Sequence, residues 1–177
     1  MDNQHPVWTL PLNEGASLKG GLLLTPCPGT KGVNAIASLR QLKAAGATVV
    51  LTALEENELP DQGVQLLAEA CKLLGIQWFH VPIEDDCAPT AHFEEKWQRA
   101  NDAAQIALNN GEFVVAHCKG GSGRTGLLAA RLLLARGMHF DTTIASIQAQ
   151  RPSAFTRQSH IDYIKQWNET LSTNCYQ

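Results

Sequence analysis

Short apolar runs alternate with longer stretches of helical spacing along the whole chain. Gly21-Leu22-Leu23-Leu24-Thr25, closed by Pro26 and Pro28, reads as a strand. From Val33 to Ala45 the apolar positions Ile36, Leu39 and Leu42 recur at helical intervals, and Gly46 supplies the stop. Ala47-Thr48-Val49-Val50-Leu51 is a continuous, partly β-branched run, the pattern of a buried strand. A second helix is predicted from Gln62 to Leu74, with Leu66, Leu67, Ala70 and Leu73 inward and Gly75 at its end. Gln77 to Val81 is another short strand, followed by a polar loop from Pro82 to Thr90. A long helix then runs from about Ala91 to Asn110, and Glu112 to Ala116 is a further strand. That strand leads into a glycine-rich loop and a very apolar helix, Thr125 to Ala135. Two more helices, about Asp141–Gln150 and Ser159–Leu171, finish the pattern.

Strands alternating with helices predict an α/β fold: a single domain over 1–177, with a mostly parallel central sheet flanked by helices. Ligands in such sheets bind beyond the carboxyl ends of the strands, where the glycine-rich loop sits. A content of 44% hydrophobic and 18% charged residues excludes intrinsic disorder. With 14 Lys+Arg against 17 Asp+Glu the formal net charge is −3, so no nucleic-acid or membrane-surface partner is expected. No apolar run approaches the roughly 20 residues of a membrane span. Met1 to Leu12 contains Asp2, His5 and two prolines, which is not the pattern of a signal peptide. The five cysteines, Cys27, Cys71, Cys87, Cys118 and Cys175, are irregularly spaced and form no CxxC pair. That argues against a disulfide framework or a zinc ribbon; reduced thiols and a cytoplasmic location are expected.

The chemistry concentrates in His117-Cys118-Lys119-Gly120-Gly121-Ser122-Gly123-Arg124-Thr125-Gly126. Cys118 follows a buried strand and Arg124 opens a helix. The glycines between them let the backbone curl so that successive N–H groups converge on an anion. The helix adds its positive N-terminal end, and Arg124 can grip two phosphate oxygens with its planar fork. The same field favours the thiolate of Cys118, a nucleophile aimed at phosphorus. A Walker loop would need Gly-Lys-Ser/Thr where Gly123-Arg124-Thr125 stands, and a dinucleotide fingerprint has no use for the cysteine and arginine.

His117-Cys118 through Arg124-Thr125-Gly126 resembles the His-Cys-x5-Arg-Ser/Thr signature of the cysteine-dependent protein tyrosine phosphatases. The resemblance extends over a core of about 22–167 and is strongest to the small dual-specificity group, within it to the cyclin-dependent kinase-associated phosphatases. Leu24-Thr25-Pro26-Cys27-Pro28-Gly29 and Pro82-Ile83-Glu84-Asp85 with Pro89 carry it. The low-molecular-weight tyrosine phosphatases place their loop near the N-terminus, whereas here it lies two-thirds along the chain. The resemblance implies Cys118 as nucleophile, Arg124 and the Lys119-Gly120-Gly121-Ser122-Gly123 backbone as the phosphate cradle, and a phospho-cysteine intermediate. It also implies that the Thr125 hydroxyl hydrogen-bonds the sulfur, although an ordinary helix-start residue is an equal reading. His117 orients the loop and is not a base. Lys119 reads either as an exposed lysine or as a contact to a second negative group.

The leaving oxygen needs a proton, and the loop carrying Glu84, Asp85 and Asp86 can supply it. The resemblance selects Asp85 through the frame Asp85-x-x-x-Pro89, with Asp86 as the alternative; a plain acidic loop with Thr90 capping the next helix is the competing reading. Arg151-Pro152-Ser153 resembles the family's Arg-Pro turn, and Gln158 stands near the place where some relatives carry a water-positioning glutamine. Cys27 and Cys87 are candidates for a protective disulfide with Cys118, and the four tryptophans read as packing anchors. The implied function is phosphoprotein hydrolysis, on phosphotyrosine and on phosphoserine or phosphothreonine, with no metal or other cofactor. Two alternatives use the same loop: a phosphoinositide phosphatase, and a phosphopeptide-binding module. Ser122 stands where the lipid enzymes commonly carry a second lysine, and a binding module usually lacks the Cys or Arg kept here. A rhodanese-like sulfur or arsenate enzyme does not fit the Arg-Thr-Gly ending.

Overall fold

The computed structural model describes residues 3–12, 20–59 and 63–174. The chain forms β1 (Trp8–Leu12), β2 (Gly20–Thr25), α1 (Ala35–Ala44), β3 (Ala47–Thr52), a 3-10 turn (Glu56–Glu58), α2 (Gly63–Leu74) and β4 (Gln77–His80). Then follow α3 (Ala91–Asn109), β5 (Phe113–His117), α4 (Gly123–Ala135), α5 (Phe140–Gln150) and α6 (Gln158–Asn174). The strands make one sheet in the order β1-β2-β5-β3-β4, parallel except for the antiparallel β1. This is the expected α/β architecture.

The side-chain alternation of the strands divides the core in two. Leu22, Leu24, Val49, Leu51, Val114 and Ala116 face α3, α4, α5 and α6. Leu23, Val50 and Val115 face α1 and α2. Both faces of the three central strands are therefore covered, which is why these strands read as unbroken apolar runs. α4 lies in the middle of one layer and is buried from Arg124 to Leu134. Behind it the buried Arg131 is ringed by aromatics: its guanidinium carbon lies 5.5 Å from the Phe93 ring centre, 5.0 Å from Trp97 and 4.1 Å from Trp167. Glu94 and the Tyr163 hydroxyl complete its shell, so this cation ties α3, α4 and α6 together.

Three details depart from the sequence reading. β1 was not anticipated: Trp-Thr-Leu-Pro-Leu is short, and Pro11 weakens it as a strand. It pairs Trp8 with Leu24 at the sheet edge, where a proline is tolerated, and buries Leu10 and Leu12. In α2 the buried stripe is Val64, Leu67, Ala70 and Cys71, while Leu66 and Leu73 are 52% and 73% exposed. In α1 Leu39 and Leu42 are buried as expected, but Ile36 is 36% exposed. The expected helix start Gln62, and Cys175, lie outside the described residues.

The register sets Thr25, His117 and Thr52 side by side at the carboxyl ends of β2, β5 and β3. All three are fully buried, and everything described next is built on these three tips.

Candidate active site

Cys118 is the first residue beyond β5, and its position is set from three sides. The buried His117 ring lies behind it. Trp78 Nε1–H donates to the Thr52 hydroxyl oxygen at 2.8 Å, and Thr52 Oγ1 lies 2.6 Å from His117 Nε2. With the Thr52 hydrogen given to Nε2, Nδ1–H of His117 donates to the Cys118 carbonyl at 3.2 Å. Burial pushes the His117 pKa down to about 4, so the ring stays neutral and acts as a hydrogen-bond link.

The second side is the turn after β2. Gly121 has φ +77, and a Cβ on it would lie 2.5 Å from Pro26 N and 2.6 Å from the Thr25 carbonyl carbon. Only glycine fits there. Cys27 N–H donates to the Lys119 carbonyl at 3.1 Å and fastens the same edge.

The third side is Arg151, just after α5. Its Nε donates to the Gly121 carbonyl at 2.9 Å, and its Nη2 donates to the Gly120 carbonyl at 3.1 Å and to Ser122 Oγ at 2.8 Å. Its guanidinium lies 3.6 Å over the Trp8 ring of β1. The Arg-Pro turn thus holds the Gly120 and Gly121 carbonyls on the outside of the loop, while Gly121 N–H points inward to the sulfur.

Inside the loop Cys118 is 4% exposed. Its Sγ accepts hydrogen bonds from Gly121 N–H and from the Thr125 hydroxyl, both at 3.2 Å. Two donors on one sulfur suit an anionic acceptor. Gly121 and Thr125 therefore stand behind the sulfur. Lys119, Gly120, Ser122, Gly123 and Arg124 join Cys118 in lining a cleft of about 360 Å³, and Asp85 and Asp86 lie on its rim.

Arg124 is 2% exposed and held by a partner that sequence reasoning missed. Its Nη1 donates to Glu58 Oε2 at 2.5 Å and to the Ile83 carbonyl at 3.0 Å; its Nη2 donates to Glu58 Oε1 at 2.8 Å. Burial opposes the charge on both partners, yet their hydrogen bonds and attraction prevail: the Arg124 pKa is raised and the Glu58 pKa lowered. A guanidinium has five N–H donors. Glu58 and Ile83 take three, leaving Nε–H and the second Nη2–H on one edge, a fork suited to two phosphate oxygens. The signal for Glu58 was a cluster of glutamates directly past the end of a buried strand, Glu55, Glu56 and Glu58.

Asp85 and Asp86 point to different neighbours. Asp85 Oδ1 lies 3.4 Å from Arg124 Nη2 and accepts a 3.1 Å hydrogen bond from Asp86 N–H. Asp86 Oδ1 instead pairs with Arg157 Nε at 3.0 Å. Thr90 occupies the N-cap position of α3 without a side-chain capping bond. Gln158 hydrogen-bonds Asp162 on its own helix and does not line the cleft; His160, 2% exposed, does. Cys27 is buried, and its thiol pKa is pushed up to about 12 by burial first and by nearby Cys118 second. Among the described residues, no disulfide forms and no group of three or more His, Cys, Asp or Glu side chains is arranged to hold a metal. No described helix is long and apolar enough to cross a membrane.

Residues 29–138, more than half of the chain, match the family model described as "Tc-R-P: Polymorphic toxin system, DSP-PTPase phosphatase". Over 95 residues the chain is 30% identical to the tyrosine-protein phosphatase CDC14 of Candida albicans, covering 50% of this chain and 17% of that protein. Among solved structures it is similar to kinase associated phosphatase (KAP) carrying a serine in place of its catalytic-site cysteine. That match has a TM-score of 0.78 and 23% identity, over 97% of this chain and 98% of the other. PTPMT1 in complex with PI(5)P matches with a TM-score of 0.66 and 18% identity, over 87% and 94% of the two chains. These structural likenesses concern the fold.

Proposed function

The chain belongs to the DSP-PTPase phosphatase family, and on that premise we propose that it hydrolyses phosphoproteins through a phospho-cysteine intermediate. The observation that carries the reading is the Cys118 sulfur, hydrogen-bonded by Gly121 N–H and the Thr125 hydroxyl, in one cleft with an Arg124 whose Nε–H and second Nη2–H make no hydrogen bond, Asp85 lying 3.4 Å from Nη2. In the first step the Cys118 thiolate attacks phosphorus and the bond from phosphorus to the leaving oxygen breaks. The loop N–H groups and Arg124 stabilise the charge that develops on the phosphoryl oxygens. Asp85 gives its proton to the leaving oxygen. In the second step Asp85 takes a proton from water as the water attacks phosphorus, and the sulfur leaves as thiolate, stabilised by the Thr125 hydroxyl. Each proton is accounted for, and no step calls on a metal.

Phosphotyrosine is the first substrate class, with phosphoserine and phosphothreonine after it. Phosphoinositide is less favoured: Ser122 gives the loop one lysine fewer than the lipid enzymes commonly carry, and a net charge of −3 suits an anionic membrane poorly. On this proposal 1–177 is one phosphatase domain with its core over about 22–167, working in the cytoplasm, where reducing conditions keep the Cys118 thiol available. Turnover of p-nitrophenyl phosphate with a chelator present tests the reading. Wild type turns over; Cys118→Ser is folded and binds phosphate but makes no product. Retained turnover in Cys118→Ser removes the mechanism, and a wild type that binds without product is a phosphopeptide-binding module.

A further inference from the structure

The segment entering α6 holds the loop that carries Asp85. Arg157 Nε pairs with Asp86 Oδ1 at 3.0 Å, and Ser159 Oγ donates to the Asp86 carbonyl at 2.9 Å. Asp86 is thus held at both its side chain and its backbone. It is one of two described non-glycine residues with positive φ, at 60°. Aspartate tolerates that left-handed state better than most residues, but it still needs holding. The conformation accompanies an Asp86 N–H that points back to Asp85 Oδ1 at 3.1 Å. So Asp85, 66% exposed and facing Arg124, takes its direction from its neighbour's backbone.

The loop's entry is tied at Ile83, whose N–H donates to the Ala53 carbonyl at 2.9 Å and whose carbonyl accepts from Arg124 at 3.0 Å, and Cys87 N–H donates to the Glu84 carbonyl at 3.1 Å. Between these ties the hydrogen bonds and ion pairs of Asp85 and Asp86 are with Arg124, Arg157, Ser159 and each other. α6, by contrast, is a firm support. Its Tyr163 and Trp167 close on the buried Arg131, and on the same face the buried His160 packs against the phosphate loop: a Cβ at Gly123 would lie 3.3 Å from His160 Cε1. One helix therefore contacts the loop holding the nucleophile and clamps the loop holding the acid.

We propose that Arg157 and Ser159 are positioning residues for proton transfer: they hold Asp86 in its left-handed conformation and so set the Asp85 carboxyl over the cleft. The inference rests on the reading of Asp85 as general acid. Neither residue touches the phosphoryl group in this role, so the loss on removing them scales with how much the leaving oxygen needs a proton.

The test compares phenyl phosphate, whose leaving group needs protonation, with 2,4-dinitrophenyl phosphate, whose leaving group does not. In Arg157→Ala/Ser159→Ala, kcat for phenyl phosphate falls about tenfold, the effect of losing an exposed ion pair and one hydrogen bond. Its kcat for the dinitrophenyl ester stays within about twofold; Arg157 also lines the cleft, so any rise in KM is alike for the two esters and does not enter the kcat contrast. Arg157→Lys/Ser159→Ala keeps the charge and loses less than the double alanine variant. An equal fall on both esters means general damage to the cleft and overturns the proposal, as does an unchanged kcat. Asp85→Asn, run alongside, loses about 10²–10⁴-fold on phenyl phosphate and far less on the dinitrophenyl ester. If that leaving-group dependence is missing in Asp85→Asn, the acid assignment itself fails and takes the proposal with it. If it is present there and missing in the double variant, only the clamp is wrong.

Discussion

Replacing Glu58 by glutamine tests whether Arg124 is aimed by a partner outside the signature. The pair is nearly dry: the side chains are 2% and 16% exposed, and the two bonds measure 2.5 and 2.8 Å. Breaking a buried pair by removing one charge costs about 3–5 kcal/mol, because the surviving ion loses its compensation. Glutamine keeps one acceptor, the Ile83 carbonyl stays, and Asp85 is 3.4 Å away, so the cost should fall to about 2–3 kcal/mol. For a chain of this size that is a fall in Tm of roughly 5–10 °C. Scanning calorimetry with and without saturating phosphate reads it. The bound dianion supplies the missing countercharge, so phosphate should raise the Tm of Glu58→Gln more than that of wild type. kcat/KM should drop about 10–100-fold, since the fork is no longer held in register with the thiolate. The stability gap should close under acid. Glu58 has a lowered pKa in the fold, so its contribution is present above the ordinary value of 4.5 and is lost as pH falls through the folded value. A Glu58→Gln protein with wild-type Tm and wild-type kcat/KM would refute the claim that this ion pair orients Arg124.

Two further outcomes follow from the loop and the strand tips. Gly121→Ala should cost about 3 kcal/mol and at least 100-fold in kcat/KM, because its Cβ meets backbone atoms at 2.5 and 2.6 Å and its φ is +77. Gly120→Ala, where a Cβ meets nothing within 4 Å, should keep wild-type stability when both variants are unfolded in urea; equal costs at the two sites would mean that the loop is packed differently. His117 is neutral in the fold, with its pKa at about 4 against an ordinary 6.5. Its contribution is fully present above pH 6.5 and is lost as pH falls toward 4, for a total of about 3 kcal/mol. Urea midpoints between pH 7 and 4 should show this slope, and His117→Asn should make it shallower; an unchanged slope removes His117 as its source.

The phosphate loop was legible from sequence because its chemistry is contiguous: the sulfur, the glycines and the guanidinium stand within seven residues, from Cys118 to Arg124. Glu58 was not legible, because its meaning depends on the fold carrying the 3-10 turn after β3 to a residue 66 positions away. Arg151 was noticed only as part of an Arg-Pro turn; its grip on three groups of the loop becomes visible only when α5 is docked. The buried stripe of α2 is not decided by its sequence, because leucines at 66, 67, 73 and 74 offer two helical faces and only the sheet selects which is covered. β1 is not legible from sequence because a five-residue strand with a proline at its fourth position looks like a loop until an edge is there to receive it.

α6 is fastened by two charges at very different depths. Arg157 and Asp86 meet in solvent at 3.0 Å, 61% and 56% exposed, where salt weakens their attraction as the Debye length shrinks from about 8 Å at physiological ionic strength to about 3 Å at 1 M. Arg131 is 4% exposed and enclosed by aromatic rings, out of reach of dissolved ions. Ionic strength is therefore a selective lever on this chain. Raising it slackens the hold on the acid loop, while the helix and the phosphate loop behind it keep their places. With Asp85 as the proposed acid, the salt tolerance of the fold and the salt tolerance of proton transfer become two separate properties, set by two different arginines.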